Sequence, residues 1–397
     1  MFAFNRDGML KFCVNRHRRE AKALKDRKKA IHFLLFFVVA VILSYGFVDL
    51  RFTMNRQHPP ATVAALTAGV AERGCQYRIL VPRIIRYLYE RTDETPLTQK
   101  KWLWFYGFDS PPERTASRQR PTPSLIDIYL PPEEAADYRD FLKLAKGMEF
   151  LSVLLLIIAF RYYISLFIEN RTACTLLSFS LFYVLPFNFL FNYFYYQSLF
   201  YPYDIPSMLF FTLGLIFIYK KNWPLYYFIF ALGTFNRETT AFLTMTYVFT
   251  ALGKDRLKTI ASHSLAQLAI WVAIKSYVYS LYGGNQAEDP NIRLFKFSWG
   301  GNSHFFFKEN PVEAYTYFFR TMGYLWIPVL FFFRRIREDF VRRSLLVLVP
   351  FTIGMAIVAN IHELRIWGEM IPIVLSAFLL IVKGMFERAA PGKAKTS

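Results

Sequence analysis

A charged pair, Arg237-Glu238, interrupts an otherwise apolar stretch and is the first place in this sequence where chemistry is expected. Apolar residues run from Trp223 to Thr234 before the pair and from Thr240 to Leu252 after it. Ionisable side chains are costly in lipid, so they normally face a partner or a polar cavity and mark function. A functional site is the favoured interpretation. The alternative is a tight turn between two short helices, in which Arg and Glu only pair with each other.

The lengths of the flanking arms predict the depth of this pair. Lys221 and Arg237 lie 16 positions apart, as do Glu238 and Lys254, which corresponds to roughly 24 Å along a helix in each arm. The hydrocarbon layer of a bilayer is about 30 Å thick. If the lysines mark one membrane face, the pair lies just below the other face, in a cavity open to that side.

The composition places these arms in a membrane protein. Of the 397 residues, 54% are hydrophobic and 19% aromatic, well above the averages of soluble proteins. We therefore predict an all-α fold, a polytopic transmembrane helical bundle of about ten spans. The predicted spans are 31–48, 148–168, 172–191, 205–219, 223–235, 239–252, 260–282, 312–333, 344–361 and 369–383.

The distribution of charge predicts the orientation of the spans. Residues 1–30 hold ten Lys or Arg and are expected to be a basic cytoplasmic segment. They precede a transmembrane domain at 31–383, and a cytoplasmic tail follows at 384–397. With both termini inside, the inner segments carry 24 Lys or Arg and the short outer segments five, as the positive-inside rule demands. The net charge of +19 then reflects topology, and nucleic acid is not expected as a partner.

A long polar stretch, 50–145, is predicted to form an outer first loop. Segments 60–72 and 77–90 have helical composition, and the second is amphipathic, which is typical of helices that lie along a membrane surface. Residues 93–135 are rich in Pro, Thr and charge and are expected to be irregular.

With this topology, the polar residues of the spans and loops collect on the outer face, where shortened helices and the first loop would enclose a cavity. Glu369 begins another short span and is expected to be submerged as well. The candidate site residues are Asp49, Arg78, Arg83, Tyr203, Asp204, Asn236, Arg237, Glu238, Arg320, Glu363 and Arg365. Taken singly, each has an ordinary alternative: a solvated helix end, an aromatic belt for the tyrosines, or a snorkelling side chain for Arg161, Lys275 and Arg320.

Familiar catalytic and metal-binding motifs are missing. The sequence has no glycine-rich phosphate loop, no His-Glu-x-x-His, no Gly-x-Ser-x-Gly and no Asp-x-Asp after the first span. Cys13, Cys75 and Cys174 have no paired spacing. Neither a metal site nor a cofactor is therefore predicted.

The pattern resembles the GT-C superfamily of polytopic glycosyltransferases, and within it a group of bacterial membrane proteins. The resemblance rests on three segments: Gln76-Tyr77-Arg78-Ile79-Leu80-Val81-Pro82, Asn236-Arg237-Glu238-Thr239, and Glu363-Leu364-Arg365 followed by Pro372. It implies a bacterial inner-membrane enzyme that moves a sugar from a polyprenyl-phosphate donor to an envelope glycan, lipid or protein.

The same resemblance implies roles for the candidate residues. In the superfamily an Asp that closes the first span commonly acts as general base, and Asp49 matches it by position. Arg78, Arg83, Arg237 or Arg320 would bind the departing phosphate, because a guanidinium donates two hydrogen bonds to one phosphate. The sequence lacks the paired acidic motif and the large soluble C-terminal domain of better-studied members, which leaves metal use and the acceptor open.

Two other classes of function stay open. A transporter or flippase of a lipid-linked saccharide would also use short, interrupted helices, although the sequence has no internal repeat and its polar residues favour one side. A non-catalytic subunit of an envelope-assembly complex is the third reading. The expected partners are a lipid-linked sugar donor and membrane lipids, and the sequence does not identify any envelope-assembly protein as a partner.

Overall fold

The computed structural model describes residues 6–54, 62–71, 73–92, 95–100, 132–190, 200–285, 303–309, 311–359, 361 and 363–389. In these ranges the chain is 85% helical without strands, which confirms the all-α fold class. The α-helices are α1 (Arg6–Met54), α2 (Val63–Ala68), α3 (Arg73–Gln76), α4 (Leu80–Tyr89), α5 (Pro132–Ser165), α6 (Arg171–Ser178), α7 (Leu181–Phe189), α8 (Asp204–Lys220), α9 (Trp223–Asn236), α10 (Phe242–Ala251), α11 (Leu257–Tyr282), α12 (Pro311–Arg320), α13 (Trp326–Phe332), α14 (Asp339–Ser344), α15 (Leu348–Val358) and α16 (Ile371–Ala389). Short 3₁₀ segments lie at Leu97–Gln99, Glu238–Ala241, Thr321–Tyr324, Phe333–Arg335, Leu345–Val347 and Leu364–Met370, with a π-helical turn at Phe305–Glu309.

Helix α1 joins the basic N-terminal segment and the first predicted span in one element. It runs for 49 residues, whereas the sequence predicted a separate segment at 1–30 and a span ending at Val48. The continuous helix has a local cause: Lys, Arg and Glu are good helix formers, and the stretch contains no Pro. Asp49 therefore lies inside the helix rather than at its end.

Within the described ranges, five helical segments are long and apolar enough to cross a membrane. They are Ala30–Met54, Arg171–Phe189, Leu257–Tyr282, Asp339–Val358 and Leu364–Glu387. Other predicted spans are helical too, but α9 and α10 have only 14 and 10 residues, fewer than the roughly 20 that a full crossing needs. The count of about ten spans therefore stays a prediction.

Helix α8 is the centre of the bundle. It packs against α5, α9 and the 3₁₀ segment Leu364–Met370, and most of its residues are buried. Its first residue is Asp204, so the N-terminus of the central helix brings a carboxylate into the core. A negative charge is favourable there, because the unpaired N–H groups make that helix end partly positive.

The segment between α12 and α13 breaks a predicted span. Met322, Gly323 and Tyr324 have φ angles of 56°, 61° and 64°, a left-handed conformation that ends a right-handed helix. The buried Asn188 side chain replaces the lost helix bonds: its Oδ1 accepts from Met322 N at 3.0 Å and its Nδ2 donates to the Leu364 carbonyl at 2.7 Å. The break is thereby fixed to the segment that carries Arg365.

The surface helices predicted in the first loop are shorter than expected. Helices α2 and α4 pack on each other and on the start of α5, with Val81, Ile85 and Tyr89 of α4 buried. The irregular stretch predicted at 93–135 lies mostly outside the described residues. A small second core thus holds α2 and α4 against the start of α5.

Candidate functional site

A buried ion pair joins α1, α5 and α8. Arg51 is fully buried, contacts Glu149 of α5 and donates from Nη2 to Asp204 Oδ2 at 3.2 Å. Its guanidinium also lies 5.1 Å from the ring centroid of Phe189 and 4.8 Å from that of Phe200. A guanidinium is the cation best suited to such a site, because it is weakly hydrated and stacks on aromatic rings.

Asp204 extends this pair into a network across the bundle. Its Oδ1 lies 3.5 Å from Arg237 Nη1 and 3.4 Å from Arg365 Nη1. Arg237 Nη1 is in turn 3.2 Å from Glu369 Oε1. We define the inner network as Arg51, Glu149, Asp204, Arg237, Glu363, Arg365 and Glu369.

Two further contacts complete the far side of this network. Arg365 Nη2 donates to Glu363 Oε2 at 2.5 Å, and the Thr239 hydroxyl donates to Glu369 Oε1 at 2.6 Å. Among the described residues, Arg237 Nε and Glu369 Oε2 have no hydrogen-bond partner. Burying charges that are incompletely bonded costs free energy, so a purely stabilising role explains this network poorly and a functional role is favoured.

The backbone conformation at Arg237 directs the side chains of Arg237 and Glu238 towards different partners. Arg237 is extended, with φ −158° and ψ 141°, between α9 and the 3₁₀ turn Glu238–Ala241. Its N–H still closes α9 by donating to the Gly233 carbonyl at 2.7 Å. The two residues do not pair as the tight-turn alternative required: Arg237 faces Asp204 and Glu369, and Glu238 faces Arg78 of the first loop.

Glu238 belongs to a second cluster at the outer edge of the bundle. Arg78 donates two hydrogen bonds to the Glu238 carboxylate, from Nη2 to Oε1 at 2.5 Å and from Nε to Oε2 at 3.3 Å. Lys275 Nζ of α11 lies 3.8 Å from Oε2. The Glu238 side chain is 39% exposed, against 16% for Arg78 and 15% for Lys275. We call Arg78, Tyr203, Glu238 and Lys275 the rim.

Tyr203 and Asn236 support both clusters. The Tyr203 hydroxyl accepts from Arg78 Nη1 at 2.9 Å, and its ring lies 4.8 Å below the guanidinium. Asn236 Nδ2 donates to the Tyr203 carbonyl at 2.9 Å and to Ser207 Oγ at 2.8 Å. The end of α9 is thus fixed to the start of α8, next to Asp204.

The rim keeps Arg78 charged. Burial by itself would lower the pKa of this guanidinium, but the facing Glu238 carboxylate and Tyr203 outweigh it, and the pKa is raised well above its usual value. Arg78 is therefore a permanent cation that binds anions through a planar fork.

Three candidates lie away from these clusters. Asp49 is two residues before Arg51 on α1 and so faces another side of the helix; its side chain is 54% exposed and bonds Lys146 Nζ at 2.5 Å. Arg83 lies on α4, with Nη2 3.5 Å from the Tyr282 hydroxyl. Arg320 ends α12, with its guanidinium 5.1 Å from the Tyr317 ring centroid. The other eight candidates lie in the inner network, in the rim, or beside them.

Sequence reasoning missed Arg51, Glu149 and Lys275 as site residues. Arg51 and Glu149 lie just outside the predicted span 31–48 and just inside 148–168, where an interfacial role looked sufficient. Lys275 was considered only as a side chain able to snorkel, but it turns inward, 3.4 Å from the Tyr77 carbonyl. The sequence did contain a signal for Lys275: it is an isolated cation inside a predicted span, seven residues before the end of that span.

The described residues contain no group of three or more His, Cys, Asp and Glu side chains arranged to hold a metal ion. Comparison of the chain with protein-family models, with curated proteins and with solved structures finds no match.

Proposed function

We propose that this protein is a membrane glycosyltransferase that moves a sugar from a polyprenyl-phosphate donor to an envelope acceptor. The observation that carries the proposal is the rim: two cations, Arg78 and Lys275, converge on the partly exposed carboxylate Glu238. The rim belongs to a helical bundle with apolar, membrane-length helices, so a ligand that is both anionic and lipidic fits the surroundings.

The rim supplies the phosphate-binding group of such an enzyme. Transfer breaks the bond between the anomeric carbon and the donor phosphate oxygen, and forms a bond from an acceptor hydroxyl oxygen to that carbon. Negative charge grows on the departing lipid phosphate, and fixed cations stabilise it. Arg78 presents two parallel donors, the arrangement that a phosphate accepts, and Lys275 adds a point charge beside them.

Glu238 is the base that the geometry favours. In the described structure its carboxylate takes the two Arg78 donors that a donor phosphate would take. Once the phosphate binds Arg78, the carboxylate is released beside the reacting carbon and can accept the proton of the acceptor hydroxyl. Asp49 remains the base predicted by position, but its half-exposed side chain pairs with Lys146, whereas Glu238 pairs with both rim cations.

The proposal includes the finer topology: about ten spans in a bacterial inner membrane, both termini cytoplasmic, and the rim open to the outer side. The lengths of α9 and α10 support it, because two short helices that meet at Arg237-Glu238 leave this turn below the surface.

The test separates phosphate binding from transfer. Purified protein in detergent would be titrated with polyprenyl phosphate, against uncharged polyprenol as control, by thermal shift. We expect only the phosphate to raise the melting temperature, and we expect Arg78→Met and Lys275→Met each to weaken binding about tenfold or more. Equal shifts from phosphate and polyprenol would overturn the proposal.

Transfer would then be followed in proteoliposomes with a series of radiolabelled polyprenyl-phosphate sugars and an envelope extract as acceptor. Loss of a general base lowers the rate by about 10²–10⁴-fold while binding is retained. We expect this of Glu238→Gln, with Asp49→Asn as the matched carboxylate-to-amide control. The reverse result would assign the base to Asp49. Movement of the lipid across the bilayer without transfer would favour the flippase instead.

A further inference from the structure

A cavity of about 300 Å³ lies between the described helices of the first loop and the end of α11, next to the rim. Its lining includes Thr67 of α2, Arg83, Arg86 and Tyr87 of α4, Glu90, and Tyr282 at the end of α11. The volume is at the lower end of the range for small-molecule sites. Two arginines and one glutamate give the lining a net charge of +1 if all three are ionised.

The charged side chains that line this cavity are held in place by hydrogen bonds that use only part of their bonding capacity. Arg86 Nε bonds Glu90 Oε1 at 2.9 Å, one turn along the chain, and both side chains are about one-third exposed. Arg86 Nη1 is 3.5 Å from the Ala68 carbonyl, and Arg83 Nη2 is 3.5 Å from the Tyr282 hydroxyl. These long contacts orient the guanidinium groups and are weak enough for a ligand to replace.

The cavity also offers aromatic surface. Tyr87 is 55% exposed, and Arg91 lies over its ring with the guanidinium carbon 4.5 Å from the centroid. Tyr282 lies against Gly69, where a Cβ atom would lie 3.4 Å from the tyrosine ring. Planar guanidinium and carboxylate groups beside tyrosine rings suit a ligand that has both hydroxyls and an apolar ring face.

The chain connects the cavity directly to the rim. Ile79, which lines the cavity, follows Arg78, and its N–H donates to the Phe235 carbonyl at 3.0 Å. On α11, Tyr282 lies seven residues after Lys275, about 10 Å along the helix. Tyr279 lies between them and packs on Tyr77 with ring centroids 5.2 Å apart. A molecule in the cavity is therefore a short distance from a phosphate at the rim.

We propose that this cavity is the acceptor subsite and that it binds an acidic saccharide, one whose sugar ring carries a carboxylate. Arg83 and Arg86 bind the acidic group, Glu90 accepts from ring hydroxyls, and Tyr87 packs on the ring. The net positive charge selects an acidic sugar over a neutral or amino sugar. Naming the cavity an acceptor subsite rests on the proposed function, whereas the binding of the saccharide does not.

The binding test uses the purified full-length protein and a disaccharide that contains glucuronic acid as probe. Neutral and amino disaccharides of the same size are the comparisons, and calorimetry or saturation-transfer NMR is the measurement. We expect the acidic probe to bind at least tenfold more tightly than either. Arg83→Met and Arg86→Met should each weaken its binding about tenfold, Tyr87→Ala should weaken all three, and the exposed Arg171 changed to Met on α6 should alter none.

Two outcomes would overturn the assignment. If the acidic and neutral probes bind equally, or Arg83→Met and Arg86→Met leave acidic-probe binding unchanged, the cavity is not a site for acidic sugars. If the two variants instead reduce binding of the protein to vesicles of anionic lipid and leave saccharide binding intact, the cavity is a headgroup site.

A kinetic readout separates this inference from the proposed function. With transfer established, Arg83→Met and Arg86→Met should raise the KM for an acidic acceptor about tenfold with little change in kcat, because they remove binding rather than chemistry. An unchanged KM would remove the acceptor role while leaving the glycosyltransferase in place. If the probe binds as expected but no sugar is transferred, the binding site stands and the proposed function fails.

Discussion

Arg237 holds two carboxylates together inside the bundle, Asp204 and Glu369, which come from α8 and from the segment before α16. Its neighbour Glu238 lies in the rim with Arg78 and Lys275. The extended backbone at Arg237 explains this division, because successive side chains of an extended segment point to opposite sides. One dipeptide therefore serves two clusters, Arg237 in the buried inner network and Glu238 in the partly exposed rim.

A double-mutant cycle tests this division at the residue scale. Arg237→Met leaves buried carboxylates uncompensated and should destabilise the protein by about 3–5 kcal/mol. Combined with Glu369→Gln, it should show a coupling energy within about 0.5–3 kcal/mol, whereas with Glu238→Gln the effects should add within about 0.5 kcal/mol. Unfolding in detergent provides the measurement. Strong coupling of Arg237 to Glu238, with none to Glu369, would show that the two residues pair directly.

At the scale of elements, the turn between α9 and α10 depends on a close approach of two helices. Gly233 of α9 faces Thr240 and Phe210, and a Cβ atom there would lie 3.0 Å from the Thr240 side chain and 3.3 Å from Phe210 Cβ. The small residue lets the turn fold back on α8, which brings Arg237 next to Asp204. The contact between Arg237 and Asp204 therefore depends on the small size of Gly233.

Gly233→Ala should destabilise the protein although alanine is the better helix former. Overpacking costs about 1–3 kcal/mol, against a gain of about 0.5–1 kcal/mol from helix propensity, so a net loss of about 1 kcal/mol is expected. Gly46→Ala in α1 is the matched control, because a Cβ atom there meets nothing within 4 Å. We expect the apparent melting temperature to fall for Gly233→Ala and to stay or rise for Gly46→Ala. Equal shifts for the two variants would contradict this close approach.

At the scale of the whole molecule, basic residues mark the end of the bundle opposite the site. Lys221 pairs with Asp255 at 2.6 Å, Lys254 with Asp339 at 2.7 Å, and Arg337 with Glu387 at 3.8 Å. The inner network and the rim lie at the other ends of α8 and α9. The positive-inside rule predicts that this basic end is cytoplasmic and that the site faces the opposite side of the membrane.

Cysteine labelling tests this orientation. In a variant without Cys13, Cys75 and Cys174, single cysteines would be introduced at positions 117, 286, 221 and 337 and exposed to a membrane-impermeant maleimide from outside. Positions 117 and 286 lie outside the described residues and are expected to be labelled in intact cells. Positions 221 and 337 should react only after the membrane is opened. Labelling of position 221 in intact cells would reverse the orientation.

The sequence alone was sufficient to predict the all-α fold class and to identify the polar segments that carry most of the candidate site. Apolar runs predict helices, since only helices and closed barrels satisfy backbone groups in lipid, and α8, α9 and α11 begin and end within three residues of the predicted bounds. Charged residues inside such runs are costly enough to be conspicuous, which is why Asp204, Arg237 and Glu238 were found. These inferences needed only local composition and spacing.

The tertiary structure alone decided which charges meet. Arg51 pairs with residues 98 and 153 positions away, and Thr239 with Glu369, 130 positions away, so no local pattern could reveal these partners. The rotation of each helix about its axis decided which side chains face the site. On α1 it turns Arg51 into the core and Asp49 outward. On α11 it directs Lys275 towards Glu238 instead of the membrane surface. Packing sets that rotation, because each helix buries the face that fits its neighbours best.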